Sequence, residues 1–179
     1  TRLLGERFGA EKVTGIDELQ ACVDRAMLLN PQLRFCPMDP TQLEFADATF
    51  GAVVCFEQAA TFDTRAAFLK EALRVLRPGG QLLLADVLWS RPAVIARRGL
   101  HRANYLTGPA AYQKLVERTG FDRSPKVQDV TAEVIADCST HLSGVLCRRF
   151  AAREMNERDF NRAMGSIAES LLTVKYYLL

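Results

Sequence analysis

The chain has 179 residues, 49% of them hydrophobic and 25% charged, which is enough to bury the core of one ordinary domain and too apolar for a disordered segment. Its 23 basic and 21 acidic side chains leave a net charge of +2, so bulk electrostatics name no polyanionic partner, and no interleaving of aromatic and basic residues points to nucleic acid. No uninterrupted apolar run reaches the roughly 18 residues of a membrane span, and Thr1 to Ala10 is amphipathic rather than a charged-then-apolar leader, so a soluble, cytoplasmic protein is expected.

Five cysteines (Cys22, Cys36, Cys55, Cys138 and Cys147) are scattered without a Cys-x-x-Cys pair, and His101 and His141 are the only two histidines. Neither a disulfide framework nor a metal site is expected from that pattern, and the thiols read as reduced core filling. Charge is unevenly spread: residues 1–87 carry 9 basic against 12 acidic side chains, and residues 88–179 carry 14 against 9. The two halves are expected to meet different parts of a ligand.

In chain order, short apolar runs alternate with helical patterns, which is the signature of an α/β fold. Leu3 to Gly9 reads as the end of a helix stopped by Gly9, followed by a β-rich run, Lys12 to Asp17, that ends in an acid. A helix over Leu19 to Leu29 is closed by Asn30-Pro31, and a strand over Leu33 to Cys36 leads into a loop, Asp39 to Asp47. Gly51 to Phe56 is a third strand, apolar enough for burial on both faces. Asp63 to Leu76 is the best-defined helix, capped by Asp63 or Thr64, with Phe68, Leu69, Ala72, Leu73 and Leu76 on one stripe. Arg77-Pro-Gly-Gly80 ends it, and Gln81 to Asp86 is a fourth strand. Strands ending together in polar residues build a ligand crevice at the sheet edge, where Asp17, Asp39, Glu57 and Asp86 are expected. A basic stretch with Arg91, Arg97, Arg98, His101 and Arg102 precedes a helix from Pro109 to Thr119, stopped by Gly120. Lys126 to Val130 reads as a strand. Residues 132–172 are mostly helical, with Phe160, Met164, Ile167, Ala168, Leu171 and Leu172 on one stripe, and Thr173 to Leu179 is a last strand or the end of that helix.

Four runs together carry a resemblance: Val13-Thr-Gly-Ile-Asp17, Met38-Asp-Pro-Thr-Gln-Leu-Glu-Phe45, Phe50-Gly-Ala-Val-Val-Cys-Phe-Glu57, and Phe68-Leu-Lys-Glu-Ala-Leu-Arg-Val-Leu-Arg-Pro-Gly-Gly80. They resemble the class I S-adenosylmethionine-dependent methyltransferases over about residues 1–130, in the order that family has them. Thr61-Phe-Asp-Thr-Arg65 is similar to small-molecule O-methyltransferases acting on natural products and their sugars. The resemblance implies a Rossmann-like, mostly parallel sheet flanked by helices, and S-adenosylmethionine as cofactor. It gives Asp17 the ribose hydroxyls, Glu18 a place beside the adenine, and Asp39 the adenine amino group. Pro40 stands where the family usually donates a backbone N–H to the ring, and proline has none. Phe56 and Glu57 match positions near the methionine end. For a hydroxyl acceptor a base is required. Thr61 holds the place of the usual histidine, which leaves His101 as the candidate, with Glu57 and Tyr105 behind it.

The family's first strand and the glycine-rich turn after it have no counterpart in the sequence. That strand belongs at the sheet centre, between those carrying Asp17 and Phe56, so a shortened chain or a completing segment is expected. Residues 88–105 and 131–172 are expected to form a helical cap on a single domain whose core is 1–130, with 173–179 as the last strand. The cap arginines suit an anionic group on a small-molecule acceptor, or simply a solvated face. The Phe160 to Leu172 stripe fits core packing, a cap surface or a homodimer. Two other classes remain: a nicotinamide-dependent Rossmann oxidoreductase, which lacks here its Tyr-x-x-x-Lys pair, and a methyltransferase-like domain that binds without catalysis.

Overall fold

A computed structural model describes the backbone of residues 1–179 and the side chains of all but 169–174. Helix α1 (Arg2–Phe8) ends at Gly9, whose φ of +101° suits a residue without a Cβ. A 3-10 turn leads into β1 (Thr14–Asp17), then α2 (Gln20–Leu29) and β2 (Arg34–Pro37). After a long loop come β3 (Phe50–Phe56), α3 (Arg65–Val75) and β4 (Leu76–Trp89). The remainder is α4 (Pro92–Arg97), α5 (Pro109–Thr119), β5 (Gln128–Asp129), α6 (Thr131–Ala151), α7 (Glu157–Thr173) and β6 (Val174–Leu178).

The strands form two sheets. β1 and β2 pair in parallel; the other sheet runs β3-β4-β6-β5, parallel between β3 and β4 and antiparallel at β6. Among the described residues β1 bonds only to β2 and β3 only to β4, so the division falls between the strands carrying Asp17 and Phe56. That explains one departure from the sequence reading. Gly51, Ala52 and Phe56 of β3 are exposed, Phe56 by 59%, because β3 is an edge strand rather than one covered on both sides.

One face of the larger sheet carries the core. Cys55, Leu84, Leu88 and Tyr177 from the strands meet Phe68, Leu69 and Ala72 of α3 and Tyr112 and Val116 of α5. Each fully buried side chain of this size contributes about 1.5–3 kcal/mol. Helix α3 starts at Thr64, whose Oγ1 accepts the Ala67 N–H at 3.1 Å, so Thr64 rather than Asp63 caps it. Its buried stripe is Phe68, Leu69, Ala72 and Val75, with Leu73 only half-buried. Replacing Thr64 by alanine is expected to cost about 1 kcal/mol, read as a lower midpoint of urea unfolding that Thr64→Ser largely restores; an unmoved midpoint would discard the cap.

The Arg77 to Gly80 turn survives inside a longer strand. Phe50 pairs with Leu76 and Ala52 with Gln81, so four residues of β4 bulge opposite the one residue Gly51. Gly79 sits at φ +76°, and a Cβ on Gly80 would lie 2.9 Å from the Arg77 carbonyl oxygen. Both positions exclude larger residues. The expected strand over Lys126 to Val130 shrinks to Gln128–Asp129, since only there does β6 offer a ladder. The last segment is strand rather than frayed helix.

A second, smaller apolar cluster joins Ala60, Val87, Trp89 and Ile95, with Tyr105 and Tyr176 packed against it. Helices α6 and α7 touch each other and β6. On α7 the stripe residues Phe160, Met164 and Ile167 are half-buried and Ala168 is exposed, while the Leu171 and Leu172 side chains lie outside the described residues. No helix is long and apolar enough to cross a membrane among the described residues. The cysteines depart from the core-filling expectation: all five are free, but only Cys55 is buried, and Cys22 and Cys147 are exposed. Burial, followed by the nearby Asp86 charge, pushes the Cys55 thiol up to about 11, which keeps it protonated and inert.

Candidate active site

The ends of β1 and β2 bring two carboxylates to one edge. Asp17 pairs with Pro37 in the ladder, the Met38 N–H bonds to the Asp17 carbonyl at 2.9 Å, and Asp39 follows one residue on. Each carboxylate gives one oxygen to its own backbone. Asp17 Oδ1 accepts the Leu19 N–H at 2.9 Å, and Asp39 Oδ1 accepts both the Thr41 N–H and its hydroxyl at 2.7 Å. Oδ2 of each has no partner among the described residues and stays available to an outside donor. Asp17 and Glu18 are exposed, Asp39 is half-buried and Pro40 is buried.

Helix α3 holds the loop that follows. Arg74 donates to the Leu43 and Phe45 carbonyls at 2.7 Å and to Asp47 Oδ1 at 2.8 Å. Glu71 Oε2 accepts the Leu43 N–H at 2.7 Å and the Arg74 guanidinium at the same distance. Phe45 sets its ring edge-on against Phe50, 4.8 Å between centroids. The sequence reading missed this clamp, although Glu71 and Arg74 stand in the run that carried the resemblance. Hydrogen bonding from Arg74 holds the Glu71 carboxyl below its ordinary value. A carboxyl with a lowered folded-state value contributes stability above its unfolded value and loses it as the pH falls through the folded one. Protection of the 41–48 amides, taken relative to the intrinsic exchange rate at each pH, is therefore expected to fall on acidification below about pH 4.5, the ordinary carboxyl range, ahead of global unfolding. Protection that stays constant until the whole protein melts would show the clamp to be immaterial.

Glu57 ends β3 in a left-handed conformation, φ +59°, which an acyclic side chain adopts at a cost and which clusters at functional sites. Its N–H bonds to the Ala85 carbonyl at 2.7 Å, fixing the exposed Glu57 at the end of the sheet. Thr61 is a turn residue, its hydroxyl donating to the Gln58 carbonyl at 2.8 Å. His101 is exposed, and its Nδ1 accepts the Ala103 N–H at 3.1 Å, capping the 3-10 turn Arg102–Asn104. No described contact joins it to Glu57. Tyr105 is half-buried against the Trp89 cluster. Tyr176, which the sequence reading did not single out, lies in the same cluster, pairing with Val87. Burial and then the Glu57 charge, with Cys138, push its hydroxyl up, against the opposing pull of Arg98.

Asp86 corrects the sequence reading. It is not at the rim: its side chain turns into the core, buried to 1% exposure, where Oδ2 accepts Arg65 Nε and the Tyr112 hydroxyl, each at 2.7 Å. A cavity of about 360 Å³ beside Gln81 to Leu84, Phe121 and Lys126 lies at the opening half of β4, away from the strand ends that carry Asp17 and Glu57. It is separate from the candidate site.

Residues 1–84 match the methyltransferase domain family. The 2-methyl-6-phytyl-1,4-hydroquinone methyltransferase of Synechocystis is 37% identical over 89 residues, 48% of this chain and 28% of that protein. The erythromycin 3''-O-methyltransferase of Saccharopolyspora erythraea is 32% identical over 83 residues, 43% of this chain and 27% of that protein. The chain spans less than half the length of the curated relatives it matches. In fold it is similar to the Haemonchus contortus phosphoethanolamine N-methyltransferase 2 solved with S-adenosylhomocysteine, with a TM-score of 0.77 and 15% identity over 99% of this chain and 44% of that one. The family's cofactor is S-adenosylmethionine. Its first 84 residues thus match the methyltransferase domain family, and its fold is that of S-adenosylmethionine-dependent methyltransferases.

Proposed function

We propose that this chain takes part in transferring a methyl group from S-adenosylmethionine to a small-molecule acceptor, a hydroxyl of a natural product or of its sugar. The observation that carries the reading is the pair of strand-end carboxylates, Asp17 and Asp39, each with one oxygen held by its own backbone and the other open. A nucleoside offers the matching donors, a diol and an exocyclic amine, and a buried or half-buried acceptor penalises a ligand that lacks them. Asp17 takes the ribose hydroxyls and Asp39 the amine, with Glu18 and Pro40 beside the adenine. Because Pro40 has no N–H and the Thr41 N–H is spent on Asp39, adenine recognition rests on the Asp39 carboxylate rather than on the backbone there. Phe56 and Glu57 stand at the methionine end.

The bound cofactor supplies an activated sulfonium methyl. The chain's own residues then have to hold the acceptor in line and exclude water. Glu57, fixed by its strained backbone, and Tyr105 are the half-exposed or exposed groups nearest that task. Because His101 Nδ1 accepts the Ala103 N–H, its neutral ring carries the proton on Nε2, and taking up the acceptor's proton requires Nδ1 to release that cap. Residues 88–105 and 131–172 act as the cap over the acceptor, and the arginines of the first segment receive an anionic substituent. Five unpaired cysteines accord with a reducing compartment such as the cytoplasm.

Calorimetric titration with S-adenosylhomocysteine and, separately, with NAD tests the reading. Saturable heat is expected with the first alone; saturation by NAD alone would establish the oxidoreductase class instead. In a methyl-transfer assay with 2-methyl-1,4-hydroquinone and a macrolide whose sugar 3''-hydroxyl is free as acceptor probes, His101→Ala is expected to lower turnover far more than cofactor affinity. Equal turnover would pass the proton to Glu57, Tyr105 or solvent.

A further inference from the structure

Outside the candidate site one polar assembly is buried among the described residues, and its hydrogen bonds join three segments far apart in sequence. Asn104, 1% exposed, donates from Nδ2 to the Phe62 carbonyl at 2.8 Å and the Ala60 carbonyl at 3.2 Å. Its Oδ1 accepts the Arg65 N–H at 2.8 Å, and its own carbonyl accepts from the Arg65 guanidinium. The same guanidinium donates to the Val87 carbonyl at 2.7 Å. We infer that Asn104, held by Arg65, is a positioning residue that fixes the segment bearing His101 and Tyr105 against the 57–63 loop bearing Glu57.

Neutralising a buried charge does not explain this arrangement. Asp86 already has Arg65 and Tyr112, and its other oxygen accepts the Val87 N–H at 2.8 Å. The bonds that Asn104 adds run to main-chain atoms of the 60–65 region, so they set the relative placement of two segments rather than compensate a charge. One planar amide with donors on one side and an acceptor on the other allows a single seating. Tyr105 follows Asn104 directly, and Glu57 stands three residues before Ala60, so a shift of the amide moves both candidate groups at once. The inference rests on the methyl-transfer reading only for what those groups do.

Trp89 is the sole tryptophan. It is 8% exposed, packs in the cluster with Ile95 and Tyr105, and carries the Arg98 guanidinium 5.9 Å above its ring. Its fluorescence therefore reports the placement of the 92–105 segment. The variants to compare are Asn104→Ala and Tyr112→Phe; the latter removes a bond to Asp86 and none of the hydrogen bonds that Asn104 makes. Acrylamide quenching of Trp89 is expected to rise twofold or more in Asn104→Ala, with amide exchange at least tenfold faster over both 58–64 and 100–106. Tyr112→Phe is expected to lower the melting temperature yet leave both readouts unchanged. Asn104→Asp, which keeps the acceptor for Arg65 but not the donated bonds, should reproduce the faster exchange at 58–64 if the alanine variant does not fold. Equal changes in Asn104→Ala and Tyr112→Phe, or exchange that stays slow in both segments, would reduce Asn104 to a generic core residue. Neither fluorescence nor exchange needs the cofactor, so a failure to bind S-adenosylhomocysteine in wild type would bear on the methyl-transfer reading alone.

Discussion

Asp17→Ala is expected to weaken S-adenosylhomocysteine binding tenfold or more, measured by calorimetry at constant pH and salt. A carboxylate receiving two hydroxyl donors makes charge-assisted bonds of about 1.5–3 kcal/mol each, and tenfold is about 1.4 kcal/mol. The estimate stays at the low end because Asp17 is exposed, so water replaces part of what the ligand loses. Asp17 also accepts the Leu19 N–H in the turn before α2, and alanine removes that bond too. Asp17→Ser separates the effects: a serine hydroxyl can still hold that turn but offers no carboxylate to a diol. Loss of affinity in both variants places Asp17 on the ligand, loss in alanine alone makes it a turn residue, and undiminished affinity in both takes it out of the site. Asp39→Ala should cost less, since an adenine amine offers it one donor where the ribose diol offers Asp17 two.

The strand ends were legible because two local signals coincide there. A β-rich run closing on an acid, followed by a helical pattern, places Asp17 whatever the tertiary structure does, and Gly9, Gly120 and Thr64 end or open helices through backbone preferences carried by single residues. Tertiary partners were not legible. Asp86 ends an apolar run just as Asp17 does, yet it points into the core. What decides its direction is Arg65, 21 residues earlier in the chain, whose burial no periodicity signals because arginine in the first turn of a helix is ordinarily solvated. Similarly, Gly51 to Phe56 has the composition of a doubly covered strand, but coverage depends on a neighbour, and β3 bonds on one side only. Tyr176 escaped notice for the related reason that its cluster assembles from β4, the 92–105 segment and a strand near the chain's end, each unremarkable alone. Arg74 and Glu71 lie in the run that carries the family resemblance, but their task exists only once the 39–47 loop has folded back over α3.

Asp86→Ala is expected to cost about 3–5 kcal/mol in urea unfolding. The side chains of Arg65 and Asp86 are exposed by 1% and 0%, and Nε lies 2.7 Å from Oδ2. Removing the carboxylate strands a guanidinium in a dry interior with two carbonyl acceptors, Val87 and Asn104, and the face of the Tyr112 ring 5.5 Å away; none of these carries a full negative charge. The Tyr112 hydroxyl loses its acceptor at the same time. Burial, the largest cause of the raised Tyr112 value, still opposes its ionisation once the Asp86 charge is gone. Asp86→Asn should cost less than alanine, since an amide oxygen still accepts from Arg65 while the charge goes uncompensated. Arg65→Met should cost as much as Asp86→Ala, and the double variant Arg65→Met with Asp86→Leu should cost well under the sum, because the largest single term, an unpaired buried ion, is then absent. What keeps that double variant from neutrality is the Asn104 carbonyl and the Val87 carbonyl, which lose their donor. If Asp86→Ala instead costs under about 1 kcal/mol, the range of an exposed pair, water reaches Arg65, and the assembly that holds Asn104 is not the dry, rigid link between the Glu57 loop and the Tyr105 segment that its geometry describes.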